Sequence, residues 1–176
     1  MAKLYKLNKP YGVVCQFSGE GNTLASLINI KDIYPVGRLD KNSEGLLLLT
    51  DDGKLQHKLS NPKFNKEKKY VVQVEGDIEE NSIRLLSQGV ELKDGITKPA
   101  RVCRNDEPNW LWERNPPIRV RKLIPTSWLE IIISEGRNHQ IRRMTAHVGY
   151  PTLRLIRTSI DNYHLNQLKP GQYERV

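Results

Sequence analysis

The chain has 176 residues, room for one compact domain of ordinary size with a buried core. Its 28 lysines and arginines against 20 acids give a formal charge of +8, which favours a polyanionic partner without identifying it. Two cysteines far apart make no disulfide framework, and with no signal-peptide-like apolar stretch at the start and no apolar run near ~18 residues neither export nor membrane insertion is indicated, so a cytoplasmic protein is expected.

Residues 4–7 alternate with period two and predict a first strand, followed by the turn signature Lys9-Pro10-Tyr11-Gly12 and a second short strand over Val13-Val14-Cys15. Asn22 or Thr23 caps a short helix over Leu24, Leu27 and Ile28, after which residues 33–36 lead into a loop carrying Asp40. Leu46-Leu47-Leu48-Leu49-Thr50 is too short and too tightly bounded by Gly45 and Gly53 for a helix, so it predicts a buried strand. A brief helix over 54–59 ends at Asn61-Pro62, and residues 69–76 are the most strand-like of the chain. Asp77 reads as the N-cap of a helix over 78–87, with Glu79 and Glu80 in its first turn and Gly89 stopping it.

Residues 103–127 hold four prolines, Trp110, Trp112 and a basic run, a composition that predicts a long excursion from the sheet. Residues 128–134 form a β-branched strand. Over 138–148 the spacing turns helical, with Ile141, Met144, Thr145 and Val148 on the core face and His139, Arg142 and Arg143 on other sides. Strands in mixed order with helices between them predict an α+β fold, a mixed, largely antiparallel sheet with flanking helices, in a single domain over 1–176.

The charge is unevenly spread. Residues 136–157 carry Arg137, Arg142, Arg143, Arg154 and Arg157 and no acid, and residues 114–128 carry Arg114, Arg119, Arg121 and Lys122 and no acid. Single-sign stretches of this length point to phosphate contact and hence to nucleic acid. Asp40, in Gly37-Arg38-Leu39-Asp40, taken alone is a turn aspartate; beside a groove built for phosphates it becomes a catalytic carboxylate that needs a cation to hold it ionised. Arg142 is the candidate cation, its other reading being a surface phosphate contact like its neighbours. Glu44 and Asp51 are the remaining carboxylates close enough in sequence for a paired acid/base site, and Glu44 reads as structural, bonding backbone donors of its own turn.

Tyr70, behind Lys66, Lys68 and Lys69, is either a half-buried strand aromatic or a platform for an unstacked base. Trp110, Trp112 and Trp128 are core or loop anchors, or stacking faces for RNA. The histidines at 57, 139, 147 and 164 lack metal-ligand spacing, so no metal is expected.

Asn8-Lys9-Pro10-Tyr11-Gly12, Gly37-Arg38-Leu39-Asp40, Lys68-Lys69-Tyr70, residues 136–143 and Leu153-Arg154-Leu155-Ile156-Arg157 occur in order along nearly the whole chain. Through these blocks the chain resembles RNA pseudouridine synthases of the branch acting on ribosomal RNA, the RsuA branch. The resemblance implies a pseudouridine synthase catalytic domain with a basic RNA-binding cleft, here without an N-terminal S4-type domain, working on 23S ribosomal RNA without a cofactor; a monomer is expected. It implies that Asp40 is the reacting carboxylate, attacking C1′ or removing a sugar proton. Arg142 then pairs with Asp40, Tyr70 stacks on the extruded uracil, and Leu155 packs against the base, with Leu153 and Ile156 as alternatives. Arg38 fills the gap left behind, and Arg137, His139, Arg143, Arg119, Arg121 and Lys122 contact the RNA. The competing readings are a non-catalytic RNA-binding or ribosome-assembly module, which gives Asp40 no task, and a carboxylate-dependent glycosylase or nuclease.

Overall fold

Four consecutive leucines, each fully buried, make Glu44–Thr50 a strand with no solvent-facing side, as the short run between glycines predicts. The computed structural model in which it lies describes residues 2–119 and 123–176; Arg121 and Lys122 therefore lie outside the described residues. The elements in chain order are β1 (Leu4–Lys9), β2 (Tyr34–Pro35), β3 (Glu44–Thr50), α1 (Gly53–Ser60), β4 (Lys68–Glu75), α2 (Glu80–Gln88), β5 (Glu91–Leu92) and β6 (Gly95–Ile96). There follow β7 (Arg101–Asn105), β8 (Thr126–Ile133), α3 (Gln140–His147), β9 (Thr152–Ile160), β10 (Tyr163–His164) and β11 (Tyr173–Arg175). The mixture is α+β; β3 with β9 is parallel, while β1 with β3 and β11, β2 with β3, β4 and β7 with β8, β5 with β6, and β9 with β10 are antiparallel.

Backbone packing divides the chain into two compact units, Met1–Lys66 with Ile156–Val176, and Glu67–Leu155. In the first, β1 pairs with β3 and β11, and the parallel ladder sets Glu44 opposite Ile156 and Gly45 opposite Arg157. Leu7, Leu47 and Leu49 share a core with Leu24, Ile28, Ile33 and Leu39. In the second, β4 and β7 flank β8, and α2 and α3 bury Ile83, Leu86, Ile141 and Met144 against Val72, Val74, Leu129 and Ile131. The helical spacing predicted for residues 138–148 is found, with Ile141, Met144 and Thr145 buried.

Three expectations need correction. Val13-Val14-Cys15 is not a strand: Val14 makes one isolated bridge, to Thr23, because the Val13 carbonyl is taken by the Lys9 ammonium. Asp77 does not cap α2. Its carboxylate pairs with Arg104 at 2.6 Å, and the Ile78 N–H donates to Ser127 Oγ, so the chain stays extended until Glu79 and the helix begins at Glu80. The excursion is also shorter than 103–127, because residues 101–105 pair with β8 as β7 and Thr126 already belongs to β8.

Candidate active site

Asp40 sits in the first unit on a turn whose two sides are anchored inside the protein. Leu39 before it is buried in the core, and Ser43 and Glu44 after it are almost wholly enclosed. The Ser43 N–H closes the turn on the Asp40 carbonyl at 3.0 Å, while the Gly12 N–H donates to the Lys41 carbonyl at 2.8 Å. Lys9, fully buried at the end of β1, donates its ammonium to the carbonyls of Pro10 (2.8 Å), Val13 (2.8 Å) and Lys41 (3.3 Å). One buried cation thus joins the two loops that frame Asp40. Burial pulls the Lys9 ammonium down to about 8, against the opposing charges of Cys15, Glu44 and Asp40. Asp40 itself is half-buried and Arg38 exposed. Asp51 has a structural task, accepting the Lys3 N–H at 2.7 Å.

In the second unit Tyr70 on β4, opposite Ile131, and Leu155 on β9 belong to one apolar cluster with Ile141 and Met144 of α3. The structure therefore brings together the tyrosine and the leucine that the sequence marks out from widely separated blocks. Leu153 is half-buried and outside that cluster. Arg142 is half-buried on α3, and His139 is exposed at the residue preceding it, with φ +49.

Arg137 and Arg143 are engaged within the protein. Both Arg143 terminal nitrogens meet the Asp94 carboxylate, at 2.8 and 3.1 Å, a fork-to-fork pair. Arg137 reaches Asp94, Glu135 and the carbonyls of Gly95 and Ile96 in the β5–β6 hairpin. The Arg143 guanidinium holds the exposed Asp94 carboxyl down to about 2. Arg154 and Arg157, counted in the sequence with the phosphate-facing charges, are buried; Arg154 donates to the Trp112 carbonyl and Arg157 Nε to the Leu46 carbonyl. Arg119 is exposed.

Residues 3–147 match the family model for RNA pseudouridylate synthase. The chain belongs to this family. It is 53% identical to "Ribosomal large subunit pseudouridine synthase E" of Vibrio parahaemolyticus, over 99% of this chain and 74% of that protein. The protein of the same name in Xanthomonas campestris pv. campestris is 52% identical, over 97% of this chain and 93% of its own. A crystal structure described as a pseudouridylate synthase shares the fold with a TM-score of 0.84 and 30% identity, across 100% of this chain and 70% of that one. The chain is thus an RNA pseudouridine synthase, as its ordered motifs imply.

Sequence reasoning missed two residues that organise their surroundings, Lys9 in the first unit and Asp94 in the second. Lys9 lay inside a quoted motif, yet a lysine at a strand end gave no sign of burial. Asp94 was signalled by the Asp94-Gly95 pair of a tight hairpin, which went unread. Among the described residues no cluster of His, Cys, Asp and Glu could hold a metal ion, and no helix is long and apolar enough to cross a membrane.

Proposed function

We propose that this synthase isomerises a uridine of large-subunit (23S) ribosomal RNA in the cytoplasm, that residues 1–176 work as one catalytic domain and as a monomer, and that Asp40 is its reacting carboxylate. The observation that carries the substrate is the 53% identity, over nearly the whole chain, to a relative named for the large ribosomal subunit. What supports Asp40 is its turn, gripped by Leu39, Ser43 and the Lys9 ammonium so that the carboxylate keeps one position during the reaction. The reaction breaks N1–C1′, turns the base and joins C5 to C1′; the C5 hydrogen leaves as a proton and N1 gains one, with no net redox change. Asp40 attacks C1′ or takes a proton from the sugar, and Arg142 supplies the cation that keeps it ionised. Extruding the base costs a few kcal/mol, offset by stacking on Tyr70, packing on Leu155, entry of Arg38 into the gap, and phosphate contacts along a basic cleft from His139, Arg119, Arg121 and Lys122.

Release of tritium from uracil C5 of labelled ribosomal RNA, with the strand intact and the base attached, tests the reaction. Mapping pseudouridine in ribosomal RNA from cells with and without the protein tests the target. A protein that binds this RNA yet releases no tritium would instead be a non-catalytic RNA-binding module.

Tyr70→Phe is expected to keep RNA affinity, while Tyr70→Leu weakens it by ~1–3 kcal/mol, the usual worth of one stacked base. Equal affinity and equal turnover in both variants would remove Tyr70 from the site. Arg137 and Arg143 reach phosphate only if RNA displaces Asp94. Asp94→Asn is therefore expected to tighten RNA binding and to steepen its salt dependence by about one to two units, each added phosphate contact contributing about one. Binding measured across a salt series checks this; an unchanged slope would mean that the two guanidiniums stay on the hairpin.

A further inference from the structure

The second unit contains a cavity of about 500 Å³ beneath residues 107–118, lined by Trp112, Trp128, Gln73, Glu107, Glu113 and Arg154 among others. That volume lies in the range of small-ligand pockets, roughly 300–1,000 Å³. Trp112 is fixed in place: the Arg154 guanidinium donates to its carbonyl at 2.8 Å and lies 6.0 Å from its ring centre, and the Trp110 ring leans on it at 5.5 Å. Arg154 is 5% exposed and Trp128 7%, so the floor is held from within. The rim differs. Glu107 and Glu113 are exposed and have no hydrogen-bond or ion-pair partner among the described residues.

The lining also holds Arg114 and Arg154, but their guanidiniums are turned onto the carbonyls of Pro116, Leu153 and Trp112, so the polar groups left to a ligand are the two carboxylates, which repel phosphate, and this cavity is not another backbone contact. Aromatic faces with carboxylate acceptors at the edge suit a flat, neutral group rich in N–H donors. Unstacked bases are bound in this way, by stacking and by hydrogen bonds to their edges. Uracil offers carbonyl oxygens where cytosine, adenine and guanine each offer an amino group, and a carboxylate facing those oxygens is left unpaired.

We propose that the 107–118 cavity is a second base-binding site, separate from the reacting uridine, which takes one unstacked nucleobase bearing an exocyclic amino group from the flanking RNA. Trp112 stacks on that base, and Glu107 and Glu113 accept hydrogen bonds from its amino edge. The site rests on the RNA substrate proposed above. It gives the segment between β7 and β8 the task of selecting sequence around the target.

The test uses the full chain and a large-subunit ribosomal RNA transcript. Probing with dimethyl sulfate and kethoxal at saturating protein is expected to show one adenine, cytosine or guanine protected on its pairing edge beside the isomerised uridine. The double variant Glu107→Ala, Glu113→Ala should lose that protection and about tenfold in kcat/KM, through KM with kcat retained, and Trp112→Leu should do the same with unchanged circular dichroism. Replacing the protected base by uridine should cost wild type about tenfold and the double variant almost nothing. No protected adenine, cytosine or guanine beside the uridine, a double variant with wild-type kcat/KM, or equal losses in both proteins on base replacement would each overturn the site while leaving the synthase standing. Failure of wild type to isomerise any uridine in the transcript would overturn the substrate reading, and this site with it.

Discussion

Asp40→Asn is expected to lower turnover by at least 10²–10⁴-fold, the range usual for loss of one acid–base group, while RNA affinity stays within a few-fold. The amide keeps the size and shape of the side chain. The backbone bonds that hold the turn, from Ser43 N–H to the Asp40 carbonyl and from Gly12 N–H to the Lys41 carbonyl, are retained by asparagine. What is lost is the charge: an amide neither attacks C1′ nor holds a sugar proton. Removing a negative charge from a surface that receives phosphates favours binding slightly, so the variant is expected to bind RNA as tightly as wild type or a little more so. Single-turnover tritium release alongside equilibrium binding separates the two effects. Wild-type turnover by the purified variant would remove Asp40 from the chemistry, and equal loss of binding and turnover would make it a structural residue.

The parts of this molecule that could be read from the chain are those dictated by neighbours in sequence. Four leucines between two glycines make a buried strand wherever they lie, and the three-to-four spacing of Ile141, Met144 and Thr145 marks one face of α3 without knowledge of its partner. The ordered motif blocks likewise carried the family and the enzyme class. What could not be read depends on chain brought together from afar. Lys9 occupies a position in β1 where a lysine ordinarily faces water, and it is buried because Pro10, Val13 and Lys41 turn three carbonyls toward one point. Asp94 lies 43 and 49 residues from the arginines it joins. Arg154 and Arg157 look like surface charges in a basic segment, yet each ends inside on a main-chain carbonyl, of Trp112 and Leu46 respectively. Asp77 was misplaced for the same reason, since Arg104 competes for its carboxylate. Charge composition therefore overstated how many arginines face solvent, while the hydrophobic pattern placed the strands and helices well.

Gly45→Ala is expected to cost about 3 kcal/mol or more of stability, from strain and overpacking together. Gly45, the second residue of β3, has φ +106, a conformation side chains rarely adopt, and stands opposite Arg157 in the parallel ladder. A Cβ there would overlap the Arg157 carbonyl oxygen and lie 2.8 Å from its nitrogen. Both are backbone atoms, so no rotamer change relieves the overlap; the ladder must open instead. For a chain of this length such a loss lowers the melting temperature by roughly 10 °C. Gly149→Ala separates the two causes, because Gly149 has φ +91 and nothing within 4 Å of the added carbon. It bears the backbone strain alone, expected at about 1 kcal/mol. Urea midpoints of the two variants measured together decide the matter: equal shifts would mean that the ladder yields to the extra carbon without cost. A much larger shift at Gly45 means that β3 meets β9 through a point only glycine can occupy, five residues after Asp40.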